Sequence, residues 1–108
     1  MGFEVIANIF PNADKVDTVR SGLESLAKAV HANEKGCSRY QVYEQTNAEG
    51  GNPPQFVVVE EYDDKAAFGH HLSTQEFRDL GAAVQKENLL AQPLDVKFCN
   101  KVGGFLSR

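Results

Sequence analysis

Residues 37–62 read CSRYQVYEQTNAEGGNPPQFVVVEEY, two strand-like runs on either side of a segment that has to turn. From Cys37 to Thr46, Tyr40, Val42 and Glu44 fall on one side and Arg39, Gln41 and Tyr43 on the other, the period-two signature of a strand. Gln55 to Tyr62 repeats the pattern around three valines. Between them, Glu49-Gly50-Gly51-Asn52-Pro53-Pro54 cannot continue a ladder, because glycine permits sharp turning and paired prolines exclude a central strand. A hairpin is the natural connection, so the two runs pair antiparallel.

Working outward toward the N-terminus, Phe3, Val5, Ala7 and Ile9 alternate with Glu4, Ile6, Asn8 and Phe10, which predicts a first strand ended by Pro11. Asn12 and Asp14 offer capping oxygens for a helix from Asp14 to Asn33, whose Val16, Val19, Leu23, Leu26, Ala27 and Val30 make one apolar face. Gly36 is expected to stop it in a positive-φ conformation. On the other side, Asp63 and Asp64 cap a short helix, Lys65 to Leu72, interrupted at Ser73 and Thr74. A longer helix then begins near Gln75, carries Phe77, Leu80, Gly81, Val84 and Leu89, and is closed by Gln92 and Pro93. Leu94 to Val102 reads as the last strand, with Leu94, Val96 and Phe98 opposite Asp95, Lys97 and Cys99.

The order strand, helix, strand, strand, helix, strand is the split-βαβ, ferredoxin-like α+β arrangement: an antiparallel sheet with helices on one face. Phe10, Tyr43, Val58 and Phe98 are expected on the bare face. An apolar sheet face seldom stays exposed, so pairing with a second copy through it, as a homodimer, is the simplest cover.

The 108 residues suffice for a single domain spanning 1–108. With 42% hydrophobic and 24% charged residues the chain falls in the ordinary globular range. Its longest apolar run, Phe56 to Val59, is far too short for a bilayer, so no membrane partner is expected. A formal net charge of -4 argues against nucleic acid, which needs clustered Lys and Arg. The opening MGFEVIANIF lacks the basic and long apolar stretches of a secretory signal, which points to a cytoplasmic protein. Cys37 and Cys99 lack any metal-ligand spacing and are expected as reduced thiols on opposite sides of the sheet.

Gly36-Cys37, Tyr40 and Tyr43, followed by Phe56, Glu60 and Tyr62, resemble the "GC..Y..Y" and "F...E.W" strands of the antibiotic biosynthesis monooxygenase family. Ala66, His71, Leu72, Thr74 and Phe77 resemble its "A...HL.T.HF" element. The resemblance implies a ferredoxin-like protomer paired into a dimeric α/β barrel, with a pocket between sheet and helices. It also implies oxidation of quinols, anthrones or other polyketide-like or enolisable molecules of secondary metabolism by O₂, with no metal or organic cofactor. Other members isomerise small metabolites, and fold alone does not select the reaction.

A cofactor-free oxygenase need only favour the anion of its substrate, exclude water and hold O₂ nearby. Asn8 matches the asparagine that hydrogen-bonds substrate in the family's polyketide oxygenases. Tyr62 takes the place of the family's tryptophan, in a chain with no tryptophan, and its phenol can donate to a developing enolate. His71 matches the first histidine of the helical element, while Glu76 replaces the second; its imidazole can accept a proton. His70 projects about 100° away on a helix and belongs to a different environment. Tyr40, Phe68 and Phe77 are expected to line the pocket. The adjacent histidines do not have the i, i+4 spacing of helical metal ligands. Leu80 stands where haem-degrading relatives carry their iron-binding histidine, and Gly50-Gly51 precedes a strand, which disfavours a nucleotide site. The expected function is therefore a cofactor-independent monooxygenase for a small apolar molecule, with an isomerase or a non-catalytic dimeric ligand-binding module as alternatives.

Overall fold

The computed structural model describes residues 2–108. Its elements are β1 (Phe3–Ile9), α1 (Val16–Asn33), β2 (Cys37–Glu44), β3 (Phe56–Tyr62), α2 (Lys65–Ser73), α3 (Gln75–Lys86) and β4 (Asp95–Cys99), with a 3₁₀ turn at Ala13–Lys15 leading into α1. The four strands order as β2-β3-β1-β4 and every pairing is antiparallel, the ferredoxin-like arrangement with one face covered by helices. The expected hairpin joins β2 to β3, and Gly50 and Gly51 both adopt positive φ in its loop.

Burial follows the period-two alternation of the central strands. Val5, Ala7 and Ile9 of β1 and Phe56, Val58, Glu60 and Tyr62 of β3 all point toward the helices, where Val19, Leu23, Leu26 and Val30 of α1 meet them. Two residues expected on the bare face are thereby moved. Val58 pairs with Ala7 and is 1% exposed in the core. Phe98 pairs with Val5 and so shares the helix side, where its ring meets Phe3 and Phe68 although it remains 66% exposed. Directly opposite residues of an antiparallel pair share a face, so register overrules composition here. The open face instead presents Ile6, Asn8, Val57, Val59 and Tyr43.

Three local expectations also change. Gly36 does not adopt positive φ; a Cβ there would lie 2.7 Å from Ala67 Cβ, so glycine is needed for the close approach of the α1 exit to α2. Asn12 caps no helix with its side chain. Its Nδ2 donates instead to the Asn88 and Leu90 carbonyls, at 2.8 and 3.2 Å. Finally, α3 ends at Lys86, short of Gln92, because Asn88 turns the chain at a φ of 51° and frees Leu89 to drop into the core at 1% exposure. Cys37 and Cys99 are free thiols on the two edge strands.

Candidate active site

Three chain features converge on one side of the sheet. The last turn of α1 carries Glu34 as its C-cap residue, with its N–H bonded to the Val30 carbonyl. The Gly36 carbonyl then accepts the Asp63 N–H at 2.8 Å, which fastens this exit to the start of α2. Asp64 Oδ1 caps α2 by accepting the Ala67 N–H at 2.8 Å. At the other end, Thr74 Oγ1 donates to the His71 carbonyl at 2.9 Å and accepts the Phe77 N–H at 3.3 Å. One hydroxyl thus closes α2, opens α3 and sets the bend that places the His71 and Phe77 rings 5.0 Å apart.

His71 is 2% exposed, and its Nδ1 lies 2.8 Å from Glu34 Oε1, itself in a side chain that is 4% exposed. A carboxylate only accepts, so Nδ1 carries the proton and Nε2 is left as an acceptor. Nε2 stands 4.0 Å from Glu60 Oε1, beyond hydrogen-bonding distance. Glu60 projects from the helix-facing side of β3 at 6% exposure and receives the Tyr62 phenolic O–H at 2.5 Å. The result is a line of proton-carrying groups: Glu34, His71, Glu60 and Tyr62.

Burial governs their electrostatics. Glu60 is raised from an ordinary 4.5 to about 7, chiefly by loss of water and further by the charge of Glu34, while the Tyr62 hydrogen bond opposes the rise. The Tyr62 phenol is pushed far up by burial and by the neighbouring Glu60 charge, so it serves as a donor. Burial likewise raises the Tyr40 phenol, with Glu60 and Glu34 adding to the effect.

This line ends at a cavity of about 140 Å³ between the sheet and the helices, of the order that encloses a single aromatic ring. Glu60 and His71 form its polar end, Tyr40, Phe68 and Phe77 its aromatic wall, and Leu80, Val84, Leu89 and Val96 much of the remainder. Backbone bonds from Asn12 N to Leu89 O and from Ala91 N to Phe10 O pin the segment after α3 across the end of β1.

Of the residues singled out from the sequence, His71, Tyr40, Phe68 and Phe77 border this cavity. Tyr62 is fully buried behind it and reaches it through Glu60. Asn8 is not brought to it. As an even-numbered residue of β1 it stands on the open face of the sheet, where its Nδ2 donates to Gln55 Oε1 at 3.3 Å. Two residues central to the site were not singled out as candidates, Glu34 and Glu60. Both carry a sequence signal. Glu60 lies two residues after Val58 and two before Tyr62 on the buried alternation of β3, and Glu34 continues the apolar stripe four residues beyond Val30. Among the described residues, no group of three His, Cys, Asp or Glu side chains is arranged to hold a metal ion.

The family model for antibiotic biosynthesis monooxygenases matches residues 2–83, from β1 into α3. The chain belongs to that family. The protein shares its fold closely with Rv0793 of Mycobacterium tuberculosis, at 26% identity and a TM-score of 0.79 over 96% of this chain and 98% of that one. A candidate antibiotic biosynthesis monooxygenase of Caulobacter crescentus aligns at 25% identity and a TM-score of 0.78, over 94% of this family member and 91% of that chain. A conserved protein of Methanosarcina mazei, 22% identical with a TM-score of 0.77 over 94% of each chain, shares the fold. No curated protein matches this member of the family significantly.

Proposed function

We propose that the protein is a cofactor-independent monooxygenase that binds a small, apolar, oxygenated molecule, a quinol, an anthrone or another enolisable metabolite, and removes a proton from it. The observation that carries this reading is the buried Glu34–His71 pair, with Glu60 beside it, at the polar end of an otherwise apolar cavity. His71 Nε2 is the base, and Glu34 offsets the positive charge that forms on the imidazole. The lining is otherwise apolar, which favours an apolar substrate whose anion supplies the electrons to O₂. For an anthrone-type CH₂, the carbanion passes one electron to O₂ and the two radicals combine to a peroxide. The peroxide takes up the proton, and loss of water leaves a carbonyl: CH₂ and O₂ become C=O and H₂O.

The same separation of two proton-handling groups by 4.0 Å favours a second reading, an isomerase that takes a proton from one atom and returns it to another. Oxygen consumption separates the two. Metal-stripped protein is given a panel of quinols, anthrones and enolisable ketones in an oxygen electrode, beside His71→Ala. Uptake that is lost in the variant supports the oxygenase; substrate turnover without uptake supports the isomerase; no turnover of any kind removes both.

We also infer that the protein acts as a homodimer joined through the open sheet face. Ile6, Val57, Val59 and Tyr43 supply the apolar surface that favours this pairing, and family membership supports it.

A further inference from the structure

We propose that the gap between His71 Nε2 and the Glu60 carboxyl is the seat of a ligand hydroxyl, an acidic O–H of the phenol or enol class, which bridges the two groups and is ionised on binding. The inference rests on the acid–base reading of the cavity and names the group of the substrate that occupies its polar end.

The geometry has three parts. At 4.0 Å, Nε2 and Glu60 Oε1 are too far apart to bond directly, yet a single oxygen between them reaches both at ordinary hydrogen-bond lengths of about 2.8 Å. The imidazole cannot turn away, because Nδ1 is held by Glu34 at 2.8 Å and the ring is packed among Tyr40, Tyr62, Phe68 and Phe77 at centroid distances between 5.0 and 6.4 Å. Glu60 cannot turn away either, because Tyr62 holds its Oε1 at 2.5 Å. Two fixed groups therefore flank a gap of one-atom width.

The occupant must complement both. Nε2 asks for a donor; Glu60, which burial keeps protonated up to about 7, offers an O–H from Oε1, the oxygen that flanks the gap, while a lone pair of the same atom accepts the Tyr62 O–H. A hydroxyl donates to the first and accepts from the second, whereas an ether can only accept and a methyl group can do neither. When the hydroxyl proton passes to Nε2, the imidazolium lies against the Glu34 carboxyl and the oxyanion keeps the hydrogen bond from Glu60. The rest of the lining is nearly all hydrocarbon, and the volume of about 140 Å³ suits one ring, so the phenolic or enolic ring that carries the hydroxyl is the part of the ligand that the cavity holds.

The test uses 4-nitrophenol, whose ionised form is yellow, titrated at a pH where the free probe is mostly neutral, with its methyl ether 4-nitroanisole as the hydroxyl-free control. The expected result is growth of the phenolate band on binding, with 4-nitroanisole binding about tenfold or more weakly, as the loss of a hydrogen bond to a charged group implies. His71→Gln is expected to abolish the band. Equal binding of the two probes, a bound 4-nitrophenol that stays colourless, or no binding of 4-nitrophenol would each overturn the proposal, and the two-probe comparison needs only the wild-type protein. A phenolate band without oxygen uptake on any substrate overturns the oxygenase reading alone. Uptake without the band overturns the hydroxyl seat alone.

Discussion

Glu34 Oε1 and His71 Nδ1 lie 2.8 Å apart although 37 residues separate them in the chain, and both side chains are almost wholly shielded from water. The pair joins the exit of α1 to the body of α2, so it is a tertiary clasp.

Removing Glu34 leaves the Nδ1–H of His71 buried and without an acceptor, which typically costs about 1–3 kcal/mol. Glu34→Ala is therefore expected to lower the urea midpoint sharply. Glu34→Gln, whose amide oxygen still accepts from Nδ1, is expected to retain much of the stability. Equal urea midpoints for Glu34→Ala and the parent would contradict the role of the clasp.

Glu60 carries a pH dependence of known sign. Its carboxyl is raised from 4.5 to about 7, so between those values the folded protein binds a proton that the unfolded chain has released. This contribution to stability is fully present below 4.5 and is lost as pH rises through 7, a change of about 3 kcal/mol. Glu60→Gln mimics the protonated form, so the difference in unfolding free energy between parent and variant should move in the variant's favour by that amount from pH 4 to pH 8. A difference independent of pH would count against the shift.

Gly36 has no room for a side chain, since an added Cβ meets Ala67 Cβ at 2.7 Å. Gly36→Ala should cost about 1–3 kcal/mol as an overpacked contact. Pairing it with Ala67→Gly should recover most of that loss in thermal melts. Failure of the second change to rescue the first would show that the strain lies elsewhere.

Val59 pairs with Ile6 and Gln41 in the middle of the open sheet face. A lysine there would bury a charge at the inferred subunit seam, so Val59→Lys is expected to halve the mass seen in sedimentation equilibrium and leave the far-ultraviolet circular dichroism unchanged. A parent protein that sediments as a monomer would refute the seam.

Most of the architecture was legible because alternation and helical periodicity report burial directly: the βαββαβ order, the hairpin around Gly50 and Gly51, and the α2–α3 break at Thr74 follow from residue spacing. Register was harder. Alternation puts Val58 and Phe98 on one side of their strands without saying which side is covered, and only pairing to Ala7 and Val5 assigns them to the helix side. The ends of elements were the least legible, since Asn12 and Asn88 act through contacts some 76 residues apart. For the site, His71 was singled out by its motif, whereas its partners Glu34 and Glu60 were not. Glu34 and Glu60 look like ordinary surface acids until the stripe of α1 and the alternation of β3 are extended by one step. Asn8 was singled out by motif position, which says nothing about which face of β1 is covered.

The close passage at Gly36 ties α1 and β2 to β3 and α2, so it links the two βα halves of the chain. Glu34 belongs to the first half, and Glu60, Tyr62 and His71 to the second. A chain whose halves have formed but not yet docked has every residue of the site and none of the contacts between the halves. Formation of the Glu34–His71 contact during refolding therefore times the meeting of the halves, and a mutation that slows that meeting delays the contact without altering the finished site.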